Sequence, residues 1–418
     1  MKPLLDLAAR RRFGIRPGLD VINALCSRLG DPQHGFKAVH VAGTNGKGAV
    51  CAVVDAVLRC RGLSVGRYTS PHLVNLNERF FLDGAPVDDE TLESAAEKVL
   101  SAARSPAMPG EPTFFETLTA VAFELYAQRK VDCAILECGL GGRLDATNVC
   151  EPSLCVITRV GLDHCRWLGG TTEEIAAEKA GIVKAGVPVV LGRNAPEVRA
   201  VVEAKAGDVG APFTYAPDLV PEKEIPADYP LPGAFNRENA VTALAALKIL
   251  AGRLPSSAAT DLPVADSLAW VVWPGRFQTV GRFIVDGAHN PPAAAALAAA
   301  LGELRTGRKP NLIAGFCADK DVASALSLLA PAVGRGYAVE IKNPRSLSAG
   351  ATAAKMRAAG IDAVACGSLG EALAAQPEAP PPVAVICGSL FLAGEALVEL
   401  GAYPWGKPRF DGAETPQV

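Results

Sequence analysis

Residues 40–48 read His40-Val41-Ala42-Gly43-Thr44-Asn45-Gly46-Lys47-Gly48. Upstream, Lys37 to Ala42 is a short apolar, strand-like run. Downstream, Val50, Val53, Val54, Val57 and Leu58 recur at helical spacing and predict an amphipathic helix. A glycine-rich turn between a strand and a helix lets backbone N–H groups point inward. The helix N-terminus adds its positive dipole end, and Lys47 adds a full charge. Gly43, Thr44, Asn45, Gly46, Lys47 and Gly48 thus form a candidate cradle for the phosphates of a nucleotide. The common phosphate loop, GxxxxGK[ST], would need glycine at Val41 and a hydroxyl at Gly48. By itself the stretch is equally a glycine-rich turn carrying a surface lysine. If it does hold phosphates, the missing hydroxyl moves the oxygen ligands of any magnesium ion elsewhere in the chain.

Outward from this turn, short apolar runs alternate with helical periodicity. Ser64–Tyr68, Asp132–Glu137, Ser153–Thr158 and Val187–Leu191 read as strands. Helices are predicted over 88–104, 115–129, 172–184 and 236–253, the third opened by a Thr171/Glu174 capping box. Continuously apolar strands alternating with helices predict an α/β chain whose parallel sheet is covered on both faces. The pattern restarts near Gly281, after Pro274-Gly275-Arg276. Strand-like runs at 282–286, 311–316, 337–341 and 383–387 and an alanine-rich helix after Pro291 predict a second, smaller α/β unit. The expected domains are 1–280 and 281–418. The Ala/Pro-rich stretches 255–262 and 376–382 read as loops, and the residues from about Tyr403 as a loose tail.

The chain has 418 residues, 49% hydrophobic and 20% charged, with net charge -3. Length favours two cores. The interspersed charges offer no basic face for nucleic acid. No apolar run is long enough for a membrane span, and Met1 to Arg12 lacks the pattern of a signal peptide, so a cytoplasmic location is expected. The 11 cysteines lie mostly in apolar runs and show no zinc spacing.

Ligands of open α/β sheets bind at the C-terminal ends of strands. Ser70, Glu137 and the pair Asp163-His164 all fall there and are the candidates for a metal site. A strand-end carboxylate and a loop histidine also occur with no such role, and imidazole is a poor partner for a hard ion.

Together with the phosphate loop, eight ordered segments resemble dihydrofolate/folylpolyglutamate synthases of the Mur ligase superfamily: TSPHL at 69–73, ECGLGGRLDATN at 137–148, GLDH at 161–164, EKAGIVK at 178–184, PGR at 274–276, DGAHNP at 286–291, ADKD at 318–321 and GSLFLAGE at 388–395. The resemblance implies a phosphate-loop ATPase-like N-terminal domain and a Rossmann-like C-terminal glutamate ligase domain. It implies ATP-dependent ligation of L-glutamate to dihydropteroate and to folates through an acyl phosphate, by an enzyme expected to be a monomer. Lys47 is similar to the family's phosphate-loop lysine. Ser70 and Glu137 are similar to ligands of a first Mg2+, and His164 to a histidine beside a second. Lys179 matches a lysine that the family carbamoylates. Asn239, Arg276, Asp286 and His289 resemble residues that close over ATP. Thr113, Phe115, Asp145 and Ala146 match pterin-binding positions of bifunctional members, although Asp145 and Thr147 also suit a simple turn cap. The chain departs from the family at Ala49, where serine is usual, and at Phe235-Asn236, where His-Gln is usual.

Overall fold

The computed structural model describes residues 14, 16–254, 264–304, 307–378 and 381–406. The expectations for Met1 to Arg12, for 255–262 and for the tail beyond 406 lie outside the described residues, whereas the expected start of that tail is not loose: the Tyr403 hydroxyl donates to Glu78 and Trp405 packs on Phe81.

Among the described residues, fourteen strands form two sheets. They are β1 (Lys37–Ala42), β2 (Val65–Tyr68), β3 (Phe80–Leu82), β4 (Ala85–Pro86), β5 (Cys133–Glu137), β6 (Leu154–Ile157), β7 (Val189–Leu191), β8 (Phe213–Tyr215), β9 (Gln278–Val280), β10 (Phe283–Val285), β11 (Asn311–Ala314), β12 (Gly336–Ala338), β13 (Ala363–Ala365) and β14 (Ala384–Cys387). The first sheet has the order β4-β3-β2-β5-β1-β6-β7-β8 and the second β13-β12-β11-β14-β10-β9. The first is parallel from β2 to β8, with antiparallel β3 and β4 at one edge. The second is parallel except for β9.

Side chains of a strand alternate between faces. Val39 and Val41 of β1 therefore join one core, with the helices Lys47–Cys60 and Ala234–Leu250, while Ala38 joins another, with the helices Asp89–Ala103 and Phe114–Arg129. The helix Lys47–Cys60 differs from its amphipathic reading. Eleven of its 14 residues are buried, from Gly48 to Leu58, because Ala234–Leu250 covers the side turned away from the sheet. The helix predicted over 172–184 stops at Ala180 and is capped at Gly181, although its Thr171/Glu174 capping box forms as expected.

The expected boundary at 280/281 needs correction. β9 pairs antiparallel with β10, so Gln278–Val280 already belongs to the second sheet. A three-residue strand of mixed polarity carries no periodic signal, whereas the Pro274-Gly275 turn just before it does.

Register places the chemistry. Val41 is paired with Glu137, Tyr68 with Leu136 and Ala42 with Ile157. Gly43, Ser70, the Glu137 carboxylate and Thr158 consequently emerge together at the C-terminal edge of the first sheet.

Candidate active site

The loop after β1 is held by its neighbours rather than by itself. The amides of Thr44 and Asn45 donate to the Arg159 carbonyl, and the Thr158 hydroxyl donates to the Asn45 carbonyl at 2.8 Å. Gly46 sits at φ +90°, and a Cβ there would lie 2.2 Å from Asn239 Oδ1. Conformation and space both demand glycine. Lys47 begins the helix, donates to the Thr44 carbonyl at 3.2 Å and lies 3.9 Å from Glu137 Oε1.

Glu137 accepts from the Ser70 amide at 3.0 Å. Burial pushes its carboxyl up, and Lys47 acts in the opposite sense. Lys179 is 4% exposed and donates to the Gly43 carbonyl at 2.9 Å. Burial, and secondarily the charge of Lys47, brings its amine down to about 7. His164 sits at φ +50° after Asp163, and burial together with Lys320 lowers its imidazole to about 4.

The second sheet supplies the facing wall. Asp286 accepts from the amides of Phe277 and Ala288, at 2.7 and 2.8 Å, and its charge faces that of Arg276. His289 Nδ1 lies 2.8 Å from the Gly287 carbonyl. A carbonyl only accepts, so Nδ1 carries the proton. Burial lowers this imidazole to about 4 and keeps it neutral. Asn290 bridges the two domains, reaching Asn45 at 3.3 Å and Asp163 at 2.8 Å. Lys320 reaches Asp163 at 3.2 Å. Burial alone would raise the Asp163 carboxyl, but Lys320, His164 and His289 outweigh it and hold the group below the usual range.

These groups share one cavity of about 250 Å³ between the sheets. Gly43, Thr44, Asn45, Gly46, Lys47, Gly48, Ser70, Glu137, His164, Lys179, Asn239, Arg276, Asp286 and His289 all line it. Thr113, Phe115, Asp145 and Ala146 do not. Phe115 lies behind Gly139, whose added Cβ would meet the ring at 2.6 Å, and Thr113 caps the helix Phe114–Arg129. Asp145 is buried, with both oxygens engaged by its own loop: Oδ2 accepts from Leu140 N at 2.8 Å, and Oδ1 from Thr147 N at 3.0 Å and from the Thr147 hydroxyl. That is the turn cap, and it leaves the carboxylate turned inward rather than into the cavity.

Sequence reading did not single out Trp273, Lys320, Arg345 or Ser389, which also line the cavity. Three of them lie in or beside quoted segments, ADKD, GSLF and a loop that folds back on Ala318. Trp273 carries no signal except its place before Pro274. Among the described residues no three His, Cys, Asp or Glu side chains gather as a metal site. No helix of the described residues is long and apolar enough to cross a membrane.

A parallel sheet whose glycine-rich strand–helix loop faces a second α/β domain across a charged cleft is the arrangement of a Mur-type ligase, and residues 275–390 match the Mur ligase glutamate ligase domain. The chain is 35% identical over 345 residues to a dihydrofolate synthase/folylpolyglutamate synthase of Bacillus subtilis, covering 77% of this chain and 80% of that one. It is 33% identical to the Escherichia coli protein of the same description, covering 79% of each. The Mycobacterium tuberculosis folylpolyglutamate synthase complexed with ADP superposes with a TM-score of 0.85 at 30% identity, over 96% of this chain and 99% of that one. E. coli FolC in complex with DHPP and ADP gives 0.79 at 29% identity, over 93% and 94%. The chain belongs to the dihydrofolate synthase/folylpolyglutamate synthase family.

Proposed function

We propose that this protein is an ATP-dependent ligase that joins L-glutamate to dihydropteroate and to the glutamate end of folates. One observation carries the reading: Lys47, Glu137, Lys179 and Arg276, contributed by four separate segments, converge with the phosphate loop on a single interdomain cavity.

The substrate carboxylate attacks the γ-phosphoryl group in line, giving an acyl phosphate and ADP. The amine of glutamate then attacks the acyl carbon, and phosphate leaves. No protein nucleophile is required. The chain's part is to position the reactants and to neutralise charge. The amides of the first turn of the helix that begins at Lys47 meet the phosphates, and Lys47 and Arg276 face the oxygens on which charge develops. The contacts of Asn290 with Asn45 and Asp163 hold the second domain against the first.

A divalent metal fits this donor set. Glu137 offers a buried carboxylate and Ser70, whose amide donates to it, brings a hydroxyl to the same cavity, and Mg2+ is commonly held by one or two carboxylates with substrate phosphates completing the shell. When bound, such ions supply charge to the transferring phosphoryl group. Lys179, whose amine is brought down to about 7 and so is partly neutral near that pH, would combine with CO2 to give a carbamate and one released proton. The carbamate would offer oxygen donors of the kind a second Mg2+ takes, on the side of His164. Phe115 and Ala146 form the wall toward the pterin, with Thr113 and Asp145 fixing that wall from behind.

Lys47→Ala should lower ADP formation by roughly 100- to 1,000-fold, the scale for removing a group that meets transition-state charge. The variant should keep its circular dichroism and melting temperature. Wild-type turnover in it would refute the phosphate-loop assignment.

A further inference from the structure

The connection between the two domains does more than join them. Trp273 precedes the Pro274-Gly275-Arg276 turn and lies directly on the first turn of the helix Lys47–Cys60. A Cβ at Gly48 would sit 2.1 Å from Trp273 Cζ2, so the indole occupies the space where other phosphate loops carry a side chain. The ring also meets two guanidinium groups. Arg67 lies 5.5 Å from its centroid and Arg276 lies 5.9 Å away. Arg67 is no free surface cation: it is 2% exposed, paired with Asp55 at 3.4 Å, and its other face stacks on Phe81 at 3.9 Å. Cation–π contacts act within about 6 Å of the centroid and gain strength where water is excluded. A fixed stack therefore runs from the edge of the first sheet through the indole to Arg276.

We propose that Trp273 is a positioning residue for phosphoryl transfer, seating Arg276 and the Lys47-Gly48 helix turn in one common register. This rests on the nucleotide reading above. The loop backbone at Thr44 and Asn45, which leads into that turn, is fixed by Arg159 and Thr158, not by Trp273. Loss of the indole should therefore spare nucleotide binding and impair the chemical step. It also accounts for glycine at position 48: a hydroxyl-bearing residue and the indole cannot occupy the same place.

The test compares Trp273→Phe and Trp273→Ala by steady-state kinetics and by calorimetric binding of MgADP. Trp273→Ala should lose roughly 10- to 100-fold in kcat at saturating ATP, the scale of a small misplacement of reacting groups. Its Kd for MgADP should stay within about threefold of wild type, and Trp273→Phe, which keeps a ring against Arg276, should recover most of the kcat. Tryptophan emission gives a second reading that does not depend on the alanine variant folding. MgADP should change the emission of the wild-type protein, and Trp273→Phe should abolish that change. A wild-type kcat in Trp273→Ala, or an undiminished emission response in Trp273→Phe, would overturn the assignment. Failure of the wild-type protein to bind MgADP would instead remove the nucleotide reading on which it stands.

Discussion

Lys179 is an ordinary helix lysine in the sequence and a nearly neutral amine in the fold. Burial and the nearby Lys47 bring it from 10.5 to about 7. The unfolded chain holds this proton up to the higher value, so between about pH 7 and 10.5 it binds more protons than the folded one. The linkage makes stability rise with pH across that window. The cost of charging Lys179 is complete below pH 7 and vanishes above 10.5. In CO2-free buffer the melting temperature of Lys179→Met should exceed that of the wild type by a margin that widens from pH 9.5 down to 7 and then levels off. A constant margin would show that the amine is not desolvated. With 13C-bicarbonate, the wild type should gain a carbamate carbon signal that Lys179→Met lacks. Residues like Lys47 are legible because residue type and spacing state their chemistry directly. Lys179 is legible only through its EKAG segment, since its burial depends on the Gly43 carbonyl far away in the chain. Trp273 is not legible at all, because its partner at Gly48 is the lack of a side chain.

The loop from Gly139 to Val149 shows the same limit at the level of an element. Its pattern reads both as a pterin wall and as a capped turn, and both Asp145 oxygens are engaged by Leu140 and Thr147, so that the cap shapes the loop. Asp145→Ala leaves buried donors without partners, a cost of about 1–3 kcal/mol each. Melting temperature should fall, and ligation of dihydropteroate and of tetrahydrofolate should fall together, because the loop as a whole loses its shape. A loss confined to dihydropteroate would instead establish direct contact between Asp145 and the ring. Central strands and long helices are readable because burial on both faces makes β1, β5 and β6 predominantly apolar. β3, β4, β8, β9 and β13 are not, since two or three residues at an edge or beside one carry no period. The misplaced domain boundary has that same cause.

Across the whole molecule, the active site exists only where the two sheets meet. Asn290 and Lys320 of the second domain converge on Asp163 of the first, and Tyr403 reaches Glu78 at 2.6 Å. A nucleotide bound between them should therefore stabilise both domains as one unit. At 100 times its Kd, MgADP should add about 2.7 kcal/mol and raise a single melting transition. Separation into two transitions, only one of which responds, would show that the nucleotide touches one domain alone. The central claim is the coupling of ATP cleavage to glutamate ligation on a pterin carboxylate. It is tested most directly by measuring ADP release with dihydropteroate, tetrahydrofolate or a cell-wall nucleotide precursor as acceptor, each with and without L-glutamate. The account predicts sustained ADP release with either pterin acceptor only when L-glutamate is present, with one glutamate joined per ADP, and none with the cell-wall precursor. ADP release that ignores glutamate, or turnover of the cell-wall precursor in preference to both pterins, would contradict it.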